Sequence, residues 1–557
     1  MAWYDWLLIA ASIAVVAYPL WDFEEFIYRA ALPTVRDQIF GALTIVLILE
    51  ATRRTTGWVL PAVAIGFLAY ARFGAYLPPP WTHQGYQIDR LVGHMYITLE
   101  GIFGVPLDVA ATFIILFTIY GAVLEFSKAG EFYVNFSLAA TGGKPAAAGR
   151  TVTLASFLLG GPSGSGVATT VTLGSVAWPL LAKAGYDKDS AGGLLSAGGI
   201  GAIISPPVLG AAAFLIAEFL RISYLDVLAM AAIPTILYYW SIFAMVELDA
   251  RKFGAKPIHV EGENCWSLTR KYGFHFISLV TIVVFMMWGY TAILSVAYAI
   301  MVAILLSYIR RDTALTPTRL WKMFEKGTTD VLSVAATCAT AGIIVGVVTL
   351  TGLGLKFSFI ILTLAGNSLF LTVLYTALAL WVLGLAVPVT ASYIIAAVIT
   401  APAMIKLGIP EYAAHMFIFY YAVLSEVSPP TALSPFAAAA ITGGNPYKTT
   451  MMAWKYTLPA FLVPFMFTLH PDGIGLLLKG SWENIFWTTV TAAIGLAALA
   501  AGFTGWLKVA TTKVERLLLI VAGLVLVYPN LLQDLIGMGL FALVVLFHYR
   551  RSREAIA

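Results

Sequence analysis

The sequence predicts an all-α, polytopic membrane fold of about 14 spans plus two re-entrant helical hairpins set in inverted repeats, and three observations carry that expectation. Of the 557 residues, 60% are hydrophobic and 11% charged, against roughly 25% charged in soluble domains. Apolar stretches recur along the whole length, many approaching the roughly 20 residues that cross a ~30 Å hydrocarbon core. Two Gly- and Pro-broken segments repeat one plan 223 residues apart.

Taken in order, the apolar windows predict spans at 6–20, 40–49, 57–77, 108–126, 190–220, 225–246, 274–289 and 293–309. Six more follow at 331–350, 413–441, 451–469, 485–501, 517–527 and 532–547. Segments 88–104 and 317–326 mix charges into amphipathic patterns and are expected to lie at the interface. The first 20 residues have no Lys or Arg ahead of their apolar run and no small-residue cleavage pattern, so they read as a retained span.

Basic residues gather at Arg53 and Arg54, at Lys144 and Arg150, at Arg251, Lys252, Arg270 and Lys271, at Arg310, Arg311, Arg319 and Lys322, and at Arg550, Arg551 and Arg553. With the spans above, all of these clusters fall on one side. The positive-inside rule makes that side cytoplasmic and puts both termini inside. The net charge of +4 therefore reflects loops and does not point to nucleic acid. The longest polar interval, 247–272, is too short to fold a core of its own. Cys265 and Cys338 are too few for a disulfide framework or a metal cluster, and His94, His415 and His470 lack ligand spacing. The sequence carries neither a His-Glu-x-x-His motif nor a phosphate-binding Walker loop, which argues against intramembrane proteolysis and ATP-driven transport.

The repeat superimposes Ser205, Pro206 and Pro207 on Ser428, Pro429 and Pro430, and in the same register Pro179 on Pro402, Lys183 on Lys406 and Gly185 on Gly408. An odd number of spans separates corresponding elements, so the repeats should be inverted. Each has an apolar stretch interrupted by small and hydroxyl residues, a return through Pro-x-x-x-Lys-x-Gly, and a span broken at Ser-Pro-Pro. The first interruption runs Gly160, Gly161, Pro162, Ser163, Gly164, Ser165, Gly166, with Thr169 and Thr170 behind it; the second is Ala386, Val387, Pro388, Val389, Thr390, Ala391, Ser392. The short arms predict re-entrant hairpins.

Adjacent prolines free backbone carbonyls one turn back, and at bilayer depth these must be satisfied by a cation, a substrate or a neighbouring hairpin tip. Ser and Thr oxygens suit a hard cation, and half-helix N-termini at a break favour an anion. Gly, Ser and Pro can also simply permit close helix packing. Glu426 stands two residues before the second Ser-Pro-Pro in an apolar run, so it should be protonated, paired or facing a polar cavity, as a proton or substrate contact. Its repeat mate is Ile203, which makes the feature one-sided. Lys183 and Lys406 are expected to snorkel from the hairpin bases.

Two stretches, GGPSGSGVATTVTLGSVAWPLLAKAGYDKDSAGGLLSAGGIGAIISPPVLGAAAF at 160–214 and VLSEVSPPTALSPFAAAAITGGNP at 423–446, resemble the tripartite ATP-independent periplasmic (TRAP) transporters. More specifically, the chain is similar to the fused permease that works with TAXI-type periplasmic binding proteins. The resemblance implies an elevator-type transporter whose residues 1–107 correspond to the small membrane subunit, followed by repeats at 108–310 and 311–505 and a C-terminal helical pair at 506–557. It implies Na+ as the coupling ion, with H+ as the alternative, no other cofactor and no transition metal. Na+ is expected around Ser163, Gly164, Ser165, Thr390 and Ser392 and the breaks at Ser205 and Ser428. The second tip, Pro-Val-Thr-Ala-Ser, lacks the Ser-Gly-Ser of the first. Substrate contacts are expected beside these positions, at Thr169, Thr170, Pro206, Pro207, Pro429, Pro430, Thr431 and Ser434.

The function so implied is not enzymatic. It is import of a small organic anion, such as a carboxylate, handed over by a periplasmic binding protein across a bacterial or archaeal cytoplasmic (inner) membrane. A free-standing ion- or proton-coupled anion carrier is the nearest rival, and a channel or membrane scaffold the more distant one.

Overall fold

In a computed structural model the chain is described at residues 3–556, apart from 144, 161–164, 258–263, 385–386 and 430–431. The regular structure of the described residues is helical, with no strand beyond one isolated bridge between Trp506 and Ala510. Among the described residues, eight helices are long and apolar enough to cross a membrane, or nine if the bent pair Cys265–Tyr272 and His275–Met287 is one span. That is fewer than the apolar windows suggest, and the difference is instructive. Several windows correspond to shorter helices such as Ala292–Ser307 and Leu433–Thr442. Window 190–220 divides into Lys188–Ile203 and Ala212–Leu220, and window 413–441 into Glu411–Leu424 and Leu433–Thr442. The amphipathic stretch at 317–326 is not a separate interfacial helix. It continues without a breaker into the 35-residue helix Pro317–Thr351.

The chain packs as two compact units, each discontinuous in sequence. One comprises Met1–Ile115, Phe214–Arg221 and Lys326–Glu411. Its N-terminal helices are tied by the buried carboxylate of Asp37, which accepts from the Tyr18 hydroxyl at 2.7 Å, the Arg29 Nε at 3.0 Å and the Thr34 amide at 2.8 Å. They are also fixed to Pro317–Thr351: the Thr52 and Thr340 hydroxyls meet at 2.6 Å, the His94 ring reaches the Gly346 carbonyl at 3.1 Å, and Tyr86 donates to the Leu350 carbonyl at 2.6 Å. Met95, Ile102, Ile343 and Val347 form the apolar core between them. This unit also holds the hairpin Leu369–Gly384 and Val389–Lys406.

The other unit comprises Leu116–Ala213, Ile222–Glu325 and Tyr412–Ala557. At its centre lies Lys188–Ile203, in which residues 190–203 are all buried. Its glycines explain how so many helices reach it. A Cβ on Gly199 would overlap the Thr170 hydroxyl and the Gly166 carbonyl, and one on Gly193 would come within 2.5 Å of the Met452 side chain. Small residues let helix backbones approach where lipid offers no hydrophobic drive.

Candidate functional site at the first hairpin and the second helix break

In the second unit, Ala147–Leu158 and Gly166–Ala184 form the arms of the first hairpin. Ser165 caps the return arm, its hydroxyl accepting the Ala168 amide at 3.3 Å, and Thr169 donates back to the Ser165 carbonyl at 3.2 Å. The hydroxyl of Thr170, fully buried, has no hydrogen-bond partner among the described residues and lies against Gly199. Pro179 sits inside the arm, Lys183 is exposed in its last turn, and Gly185 ends it at φ 95° in the left-handed region that glycine adopts freely. Ser163 and Gly164, expected at the tip, lie outside the described residues.

As the first residues of the helix Gly166–Ala184, Gly166 and Val167 have amides with no intrahelical partner. Glu426 supplies one to each. From the short turn Ser425–Val427 its half-buried carboxylate accepts both amides and, through Oε2, the Ser434 hydroxyl at 3.2 Å. The approach requires glycine, because a Cβ at Gly166 would overlap Glu426 Oε2. A carboxylate at the positive end of a 19-residue helix is also favoured by the aligned peptide dipoles. The side chain singled out as a lone charge is thus paired with backbone from the hairpin.

The two Ser-Pro-Pro breaks close many of their own hydrogen bonds. At the first, the Gly210 amide takes the Ile203 carbonyl at 2.7 Å and the Thr235 hydroxyl takes the Ile204 carbonyl at 2.6 Å. The Tyr224 hydroxyl accepts the Leu209 amide at 3.0 Å. Ser205 is buried and donates to the Gly201 carbonyl at 2.6 Å, with the Tyr239 hydroxyl 3.3 Å away. Pro206 and Pro207 follow it in the break itself. At the second, Ser428 donates to the Leu424 carbonyl at 2.8 Å and Trp454 Nε1 to the Val427 carbonyl at 3.0 Å. Pro429 follows Ser428, while Pro430 and Thr431 lie outside the described residues. Carbonyls freed by proline are therefore met largely by neighbouring side chains and turns, and no foreign group is needed to satisfy those named here.

Thr390 and Ser392 belong to the other unit, at the start of Val389–Lys406. Ser392 is buried and donates to the Val387 carbonyl at 3.1 Å; Thr390 is also buried. Pro402 lies inside that arm, and Gly408, at φ 90°, follows it as Gly185 follows the first. In each unit, then, an arm with an internal Pro ends in an exposed Lys and a left-handed Gly. Tyr239, Thr235, Tyr224 and Trp454 were not foreseen. Their only local signal is a polar atom inside an apolar span, which is indistinguishable in sequence from an aromatic facing lipid.

Residues 43–472 match the family described as Tripartite ATP-independent periplasmic transporter, DctM component. Over 115 residues the chain is 30% identical to the 2,3-diketo-L-gulonate TRAP transporter large permease protein YiaN of Escherichia coli (strain K12). That stretch is 21% of this chain and spans 27% of the relative's length.

Proposed function

Because the chain belongs to the DctM family of tripartite ATP-independent periplasmic transporters, we propose that it is a Na+-coupled permease importing a small organic anion, of the carboxylate class, from a periplasmic binding protein. The observation that carries the reading is Glu426 seated on the amides of Gly166 and Val167. A hairpin helix N-terminus is an anion site, and here a protein carboxylate holds it. Movement of Glu426 would open those amides to a substrate carboxylate, while Ser165, Ser205 and Ser428 bring neutral oxygens suited to Na+ at the same hairpin and breaks. The family match supports transport by a multi-pass inner-membrane permease, and the organic acid in the relative's name supports the substrate class. Elevator motion, the fused small subunit and a TAXI-type partner rest on the resemblance of the hairpin sequences.

A second reading is kept for one reason: Glu426 is a carboxyl held by exchangeable contacts, so its protonation would also release the hairpin and couple H+. Proteoliposomes given either a Na+ or a pH gradient separate the two, with a labelled dicarboxylate or 2-oxoacid presented with its binding protein. Accumulation is expected under the Na+ gradient. Glu426→Gln should keep it within a few-fold, since a glutamine Oε1 still accepts a backbone amide. Accumulation driven by the pH gradient without Na+ would refute Na+ coupling, and dissipation of the gradient without accumulation would indicate a channel.

A further inference from the structure

In the second unit, two helices apolar enough to span, Trp482–Thr504 and Leu531–Ile556, finish at the loop 505–511, from which the helix Lys513–Val525 sets out. This end is basic. Residues 502–516 and 546–557 carry Lys508, Lys513, Arg516, Arg550, Arg551 and Arg553 against Glu515 and Glu554. The last carbonyls of Trp482–Thr504 already hold two cations: Arg516 Nε donates to Gly502 at 2.8 Å and Lys252 Nζ to Thr504 at 2.9 Å.

The loop is fastened into one shape. Gly505 turns it at φ 70°, the Thr511 amide donates back to the Gly505 carbonyl at 3.1 Å, and Trp506 bridges to Ala510. The buried His548 accepts the Lys508 and Val509 amides on Nε2 at 3.3 and 3.5 Å, and Arg551 Nη2 donates to the Ala510 carbonyl at 2.6 Å. Glu515 is taken up within this frame, with Oε1 3.4 Å from His548 Nδ1 and Oε2 2.9 Å from Arg551 Nη2. What the frame holds out is cationic. Lys508 is exposed in the middle of the loop, its ammonium 5.9 Å from the Tyr549 ring centroid, and Lys513 and Arg516 are exposed just beyond it. Neither lysine pairs with a carboxylate among the described residues. Lys513 also stands in the first turn of its helix, where the peptide dipoles disfavour a cation, so local helix stability does not account for it.

Apolar surface adjoins these cations: Val514 and Leu517 are exposed on one helix, and Leu546, Phe547 and Tyr549 on the other. A free anion or an acidic protein segment would meet the charges and leave that surface uncovered. A lipid with a negative headgroup meets both. We propose that the loop 505–511 and the helix ends around it bind an anionic phospholipid, its phosphate against Lys508, Lys513 and Arg516 and its acyl chains along the exposed apolar faces. Basic residues clustered at the end of a span attract anionic headgroups, and here the buried His548 and the Glu515–Arg551 pair fix the loop that presents them.

The test uses the full chain in dodecylmaltoside, titrated with dioleoyl phosphatidylglycerol or, in parallel, dioleoyl phosphatidylcholine, and followed by thermal unfolding. A saturable rise in midpoint is expected with phosphatidylglycerol and not with phosphatidylcholine. Lys508→Gln with Lys513→Gln, both at exposed positions, should weaken the apparent affinity roughly thirty-fold, the fold-change of about 1 kcal/mol for each lysine at the headgroups. Lys508→Arg with Lys513→Arg should restore it. Arg270→Gln with Arg311→Gln, which removes the same charge at exposed positions elsewhere, should leave it unchanged. The proposal is overturned by no rise in the wild type, an equal rise with phosphatidylcholine or with inorganic phosphate alone, an undiminished response in the lysine-to-glutamine pair, a loss as large in the lysine-to-arginine pair, or a loss as large in the Arg270 and Arg311 pair.

Discussion

Ser165 illustrates how one hydroxyl can be asked two questions. Its oxygen caps the Ala168 amide, a contact whose loss costs about 1 kcal/mol and would not prevent folding. If Na+ also binds there, Ser163→Ala with Ser165→Ala removes two oxygens without adding bulk. The expected outcome is loss of Na+-driven accumulation with membrane insertion and expression unchanged; uptake at the wild-type rate would remove the first hairpin from the ion site. Glu426 was legible as an anomaly, since a lone carboxylate in an apolar run demands an explanation. Its partners were not. Gly166 and Val167 are distant in sequence, and their only distinguishing feature is backbone that the hairpin leaves uncapped.

Between helices, one buried polar tie in the second unit centres on Asp249, fully buried on Tyr224–Lys252. Both its oxygens accept from Lys455 Nζ at 2.7 Å, and Tyr456 donates to it at 2.5 Å. Breaking such a pair strands a charge, whereas replacing both members with apolar residues often costs little. Lys455→Met should therefore destabilise the unit by about 3–5 kcal/mol, and Asp249→Leu combined with Lys455→Met should recover part of that loss, less about 1–3 kcal/mol for the buried Tyr456 hydroxyl that loses its acceptor. Unfolding of the purified variants in a mild detergent checks both; equal stability of the single and double variants would contradict the pairing. Nothing in the sequence linked these residues, because Asp249 and Lys455 each sit near a basic loop and read as ordinary span ends. The repeated Pro-x-x-x-Lys-x-Gly, by contrast, was readable in advance as a structural unit, since a kinking Pro, a snorkelling Lys and a left-handed Gly each act through the local backbone.

At the scale of the whole chain, the placement of basic clusters makes a topological prediction. Single cysteines introduced at the exposed positions Gly143 and Arg553 in a Cys265→Ser, Cys338→Ala background should react with impermeant maleimide only from the cytoplasmic side, and one at exposed Glu483 only from the periplasmic side; the opposite result at Glu483 would break the expected parity of spans. What the sequence by itself determined is whatever depends on local chemistry: a membrane fold from apolar length, two broken segments from adjacent prolines, and hairpin ends from Gly. What only the tertiary structure decided depends on contacts between distant segments. It turned apolar windows into a mixture of spans, half-helices and one helix running through a supposed interfacial segment. It also grouped Met1–Ile115 with Lys326–Glu411 in one unit and the first hairpin with Glu426 in the other. The physical reason is that in lipid hydropathy is nearly uniform along the chain, so partners are chosen by glycine-sized clearances and by single buried hydrogen-bonding groups, and neither leaves a periodic mark in the sequence.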